Sequence, residues 1–166
     1  MRYIFLKTIT FHLFFLLLHF AHDWLPYKGV TVIAASSESV MQHMKVAFFA
    51  WTLASLGELA LRRRAWRRGF DANLLTNLLA PWAMFLWYVA DALGLQPLPT
   101  VALEIAYANV VLFVAGLGLS TLGRDLASAT FSRAARGAMI AFYLAFAFLL
   151  IVFTFETPWG GFFTHP

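Results

Sequence analysis

At 166 residues, with 61% hydrophobic residues, 12% charged residues and a mean hydropathy of +0.75, the chain is far more apolar than a soluble domain. The composition excludes an ordinary water-facing surface, and the complete lack of cysteine excludes disulfides and thiolate metal sites. The net charge of +4 and pI near 9.8 do not imply nucleic acid, and no nucleic-acid partner is expected, because the basic excess lies beside apolar runs rather than on a soluble face.

Five apolar stretches, residues 3–22, 44–61, 73–94, 100–121 and 135–155, are long enough to cross or nearly cross hydrocarbon about 30 Å thick. They lack strand alternation, and lipid tolerates only backbones whose hydrogen bonds close on themselves, so each is expected to be a helix. The expected fold is all-α: a polytopic membrane bundle of five transmembrane helices forming one integral domain over residues 1–166. Arg62, Arg63, Arg64, Arg67 and Arg68 follow the second stretch, and Arg124, Arg133 and Arg136 follow the fourth. The positive-inside rule makes both connections cytoplasmic; Arg2 and Lys7 then put the amino terminus inside, and five spans put the carboxyl terminus outside. The pattern is that of a multi-pass protein of the cytoplasmic membrane.

The first stretch has the basic start of a signal peptide, but its apolar run is too long for a typical signal core, so a retained helix is expected. Along it His12, His19, His22 and Asp23 fall within an arc of about 100°, with His12 about 10 Å deeper than His19. Two roles suit His12: a hydrogen bond inside the bundle, or a step on a proton path. Asp23 to Ser37, with Pro26 and Gly29, is too long for a tight turn and reads as an ordered outer loop or shallow re-entrant segment. Ser36 or Ser37 is expected to cap the next helix, with Glu38 in its first turn. Toward the inner end of that helix, Glu58 is placed to pair with Arg62, four residues on.

The third helix carries Asn73, Asn77 and Pro81, where a kink is expected. Pro97 and Pro99 mark a short outer turn; the fourth helix then carries Glu104, Asn109 and the small residues Gly116, Gly118 and Ser120, suited to close helix contact. The fifth, rich in Phe and Leu, fits a lipid-facing or packing role.

On this map His19, His22, His43 and His165 gather near the outer face with Asp23, Glu38, Asp91, Glu104 and Glu156. Ionisable groups in or near hydrocarbon are costly, so such a cluster is a functional-site hypothesis by default. Imidazole with carboxylate suits zinc, iron or another first-row metal, and His19, Glu38 and His43 are the candidate ligands. Without a metal the same region offers acid–base chemistry, with His43 as base, Glu38 orienting it and Lys45 holding an anionic group. Glu38 and His43 would lie about 140° apart on a regular helix, so they can share an ion only if the helix start is irregular. The bland alternative is a helix-capping Glu38, an interfacial His43 and a snorkelling Lys45.

The segment Ser37-Glu38-Ser39-Val40-Met41-Gln42-His43-Met44-Lys45 resembles the signature of a family of small prokaryotic membrane proteins of unknown function, typically Asn-Glu-Ser-x-Trp-Glu-His-x-Lys. The chain keeps Glu38, Ser39, His43 and Lys45 and departs at Ser37, Met41 and Gln42. His19-Phe20 with Trp24, and Phe153-Thr154-Phe155 with Pro158, look similar as well; the family's closing Asp-Pro is His165-Pro166 here. The resemblance implies a five-helix fold and points to His19, Glu38, His43 and Lys45. Two readings of function stay open: a site on the outer face, with or without a bound metal, that hydrolyses a lipid-linked or small substrate, or a non-catalytic accessory subunit packed against a larger membrane complex or a second copy of the chain. A third, a proton or cation carrier, rests on His12 and His19.

Overall fold

The computed structural model describes residues 1–61, 69–90 and 99–156. Among these every regular element is helical: α1 (Arg2–Trp24), the single-turn α2 (Lys28–Thr31), α3 (Val40–Leu61), α4 (Phe70–Ala90), α5 (Val101–Asp125), which runs into a 3-10 turn at Leu126–Ser128, and α6 (Arg133–Phe155). Four of them are long and apolar enough to cross a membrane: Arg2–Trp24, Val40–Leu61, Val101–Ser128 and Arg133–Phe155. That is the signature of a multi-pass membrane protein. The span expected at 73–94 corresponds to α4, which starts earlier, at Phe70, and whose expected last residues lie outside the described segments.

α1, α3, α4 and α5 close a four-helix ring in which each packs on the next and α5 returns to α1; α6 rests more lightly along α3 and α4. The axis of the core is α3, whose hydrophobic window is 50% buried against 6% for α6. The reason is side-chain size: Ala47, Ala50 and Ala54 let neighbouring backbones approach while Phe48 and Trp51 fill the space between them. Trp51 meets Phe11 of α1 edge to face, with ring centroids 5.0 Å apart, and donates its indole N–H to Thr76 Oγ1 of α4 at 3.1 Å. The apolar faces of Phe142, Leu144 and Phe148 on α6 stay exposed, as a lipid-facing helix requires.

Small residues fix the α1–α5 crossing. A Cβ on Gly116 would stand 3.0 Å from Thr8 Cγ2 and 3.1 Å from Phe11 Cδ1, and one turn on the Ser120 hydroxyl lies 3.1 Å from that of Thr8. Gly118 does not share this role: a Cβ there meets nothing within 4 Å. The sequence spacing had placed all three small residues together, but at about 100° per residue Gly118 faces away from a contact shared by Gly116 and Ser120.

The antiparallel packing sorts polar residues to two ends. At one end Lys7 is buried, donating to Glu58 Oε2 at 3.1 Å and to Asn73 Oδ1, with its ammonium 5.0 Å from the Trp51 ring centroid. The described partner of Glu58 is therefore Lys7; Arg62, the expected one, lies outside the described residues. At the same end Arg136 reaches Asp71 through two hydrogen bonds of 2.6 and 2.8 Å, tying the start of α6 to the start of α4. The histidines and Glu38 occupy the opposite end.

Between α1 and α3 the chain is ordered and folds back onto the bundle. After Tyr27 the single turn α2 brings Ala34 and Ala35 into the interior, where Ala35 N–H donates to the Leu18 carbonyl at 3.2 Å. Thr31, at the end of that turn, bonds His22 Nδ1 at 3.2 Å. This segment sets where Glu38 emerges.

Candidate functional site

α3 starts later than its sequence suggests. Ser39, not Ser36 or Ser37, caps it: Ser39 Oγ accepts from Gln42 N–H at 3.4 Å and the Ser39 carbonyl accepts from His43 N–H at 3.2 Å. The Gln42 side-chain oxygen accepts from Ser36 N–H at 3.4 Å, holding residues 36–38 as bends over the first turn instead of helix. Glu38 thus lies outside the helix, free of the 140° offset that a regular helix would impose on it and His43. The irregular helix start is what permits convergence.

Converge they do. His43 Nε2 stands 3.3 Å from one Glu38 oxygen and His19 Nε2, from α1, stands 3.6 Å from the other. The imidazole rings lie 5.1 Å apart, and one donor atom from each of the three residues falls within 4.8 Å of the others. Two donors each about 2.1 Å from a tetrahedral ion are separated by about 3.4 Å, and the two nitrogen–oxygen separations, each to a different Glu38 oxygen, lie close to that length.

The hydrogen bonds around His43 decide which nitrogen is offered. Its Nδ1 lies 2.9 Å from the Ser39 carbonyl, which can only accept, so Nδ1 carries a proton. In the neutral ring Nε2 then holds a lone pair aimed at a carboxylate, an arrangement that repels unless a proton or a metal ion lies between. Metal-ligating histidines commonly donate their other ring N–H to a backbone carbonyl, which fixes ring and tautomer together.

His19 is held by rings rather than by hydrogen bonds. Phe15 stacks on it at 6.2 Å with planes 10° apart, and Phe20 meets it edge on at 4.7 Å. Its Nδ1 is buried without a hydrogen-bond partner among the described residues. Glu38 is exposed, giving the cluster a wet side from which an ion and a water can enter.

Lys45, the other candidate, is turned away from this cluster. It has no exposed surface, and its ammonium donates to the Thr31 carbonyl at 2.7 Å and to Thr154 Oγ1 at 2.9 Å. Among the described residues no carboxylate lies within ion-pair distance of it; it ties α3 to the segment between α1 and α3 and to the end of α6. His12 makes a hydrogen bond inside the bundle, its Nε2 lying 3.0 Å from Asn109 Oδ1 on α5, while its Nδ1 is buried with no partner among the described residues. His19 faces α3 instead, so the two histidines of the proposed proton stripe serve different neighbours. Asp23 and Glu156 are exposed at the ends of α1 and α6, and Asp91 and His165 lie outside the described residues.

Sequence reasoning passed over Ser39, whose carbonyl orients His43, although its position four residues before His43 was the available signal. It also read Lys7 only as a topology marker; a lysine one and a half turns into an apolar helix signals a buried partner. The chain has no significant match among protein-family models, curated proteins or solved structures.

Proposed function

We propose that this chain is a five-span protein of the cytoplasmic membrane, with its amino terminus inside and α4 as the fifth span. In this reading His19, Glu38 and His43 hold a divalent transition metal, zinc or iron, at the extracytoplasmic face. The observation that carries it is the convergence of the three side chains, with both Nε2 atoms turned to the Glu38 carboxylate while His43 Nδ1 is held by the Ser39 carbonyl. Topology rests on the arginines flanking the second and fourth spans, and the family resemblance at Glu38, Ser39, His43 and Lys45 points to the same region.

A metal held by these three residues would supply Lewis-acid activation of water near neutral pH, which suits hydrolysis of a lipid-linked or small extracytoplasmic substrate. The residues do the rest: Ser39 orients the His43 ring, Phe15 and Phe20 fix that of His19, and the exposed Glu38 carboxylate would be within reach of a water entering from its open side. A second reading, a non-catalytic accessory subunit, draws on the exposed apolar faces of α5 and α6, which a membrane partner could cover.

Elemental analysis of the purified chain separates the two. About one equivalent of zinc or iron, lost in His19→Ala, Glu38→Ala and His43→Ala but kept in His22→Ala, is the expected result. A folded parent chain that takes up neither metal on reconstitution refutes the metal centre and leaves the accessory reading.

A further inference from the structure

A cavity of about 290 Å3 lies between α3, α4 and α6, toward the end of the bundle opposite His19. Thr52 is the key to its chemistry. The Thr52 hydroxyl donates to the Phe48 carbonyl at 2.9 Å, spending its only proton. It must therefore accept from its two other neighbours, Asn77 Nδ2 at 2.7 Å and the Tyr143 hydroxyl at 3.0 Å.

That saturation fixes the Asn77 amide: its NH2 faces Thr52, and Oδ1 is left buried with no hydrogen-bond partner among the described residues. The Ser55 hydroxyl, one helical turn from Thr52, is buried and unpartnered in the same way. Both residues line the cavity, and both are more than nine-tenths buried. Pro81, lacking an N–H, also deprives the Asn77 backbone carbonyl of its usual donor within α4. Buried polar atoms without partners cost free energy, so their concentration on one cavity points to a ligand that completes them.

The remaining features narrow that ligand. Among the described residues no charged side chain lines the cavity, and of the cations at this end of the bundle Lys7 is already paired with Glu58 and Asn73 and Arg136 with Asp71, so the described lining offers an anionic headgroup no counter-charge. The walls are apolar, and at the rim Leu56 and Ile140 are exposed on the surface of spanning helices, where acyl chains have access. The volume accommodates about ten water-sized groups, enough for a headgroup and the first part of a chain.

We infer that this cavity binds a neutral lipid through a hydroxyl group, which donates to Asn77 Oδ1 and accepts from Ser55 Oγ–H. The site is separate from the His19–Glu38–His43 cluster and stands whether or not that cluster holds a metal.

The test uses the full chain in phosphatidylcholine nanodiscs with dodecanol carrying a mid-chain diazirine as photolabel. Adducts are expected on the segments of α3, α4 and α6 around Ser55, Asn77 and Tyr143. 1-Dodecanol should compete about tenfold better than dodecane, the difference that a hydrogen-bonded hydroxyl makes in an apolar site. Ser55→Ala removes a hydroxyl that has no protein partner, so the fold is kept while that preference falls; Leu56→Trp blocks the rim and abolishes labelling without touching the Thr52 network. Equal competition by dodecane, equal competition by dodecanoate, or adducts scattered over the lipid-facing surface would each overturn the assignment.

Discussion

Replacing Lys7 by methionine removes a cation but leaves Glu58 where it is, with its side chain only 11% exposed. At their 3.1 Å separation the gross attraction is about 5 kcal/mol at an effective dielectric near 20, most of it offset by the cost of withdrawing both charges from water. The net worth of the pair is therefore small, but the cost of breaking it is not, because one buried charge is left without its partner among the described residues. Lys7→Met and Glu58→Leu are each expected to lose about 3–5 kcal/mol, while the double variant, apolar at both positions, should lie within about 1 kcal/mol of the parent. Reversible unfolding in a mixed detergent titration, followed by circular dichroism, gives all three values and hence the coupling between the residues. Two results sink this reasoning: single variants that cost under about 1 kcal/mol, or a double variant that costs their sum.

Two further outcomes follow from packing and from ligand chemistry. Gly116→Ala should destabilise by about 1–3 kcal/mol because its methyl would press on Thr8 and Phe11, whereas Gly118→Ala, opening into free space, should be neutral or stabilise by up to about 1 kcal/mol; the same unfolding assay distinguishes them, and equal effects would show that the α1–α5 crossing is looser than described. Metal held by His19, Glu38 and His43 should bind less tightly as the pH falls, since protons compete for the same nitrogens; equilibrium dialysis between about pH 8 and 5 checks this, and an affinity that does not change over that range would mean that the histidines are not the ligands.

Composition and the runs of apolar residues by themselves determined an all-helical chain with membrane-spanning segments, because lipid admits few backbone solutions and 3.6-residue geometry does the rest. Sequence also singled out His19, Glu38 and His43, since ionisable groups among apolar ones are conspicuous wherever they fall. It could not say that they meet. That depended on where α3 begins: Ser39 as cap, rather than a serine two or three residues earlier, moves Glu38 off the helix and turns its carboxylate toward both imidazoles. Helix starts are settled by competing caps of nearly equal strength, and here the segment before α3 is held to the bundle at Leu18 and Thr31, contacts that no reading along the chain supplies. Only tertiary structure, likewise, could turn Lys7 from an apparent topology marker into half of a buried ion pair, bury Lys45 against α6, and leave Asn77 and Ser55 facing one cavity, because each outcome depends on which helix lies across from which. Periodicity along one helix says which residues share a face; the neighbour that face meets is set by the packing of the whole bundle.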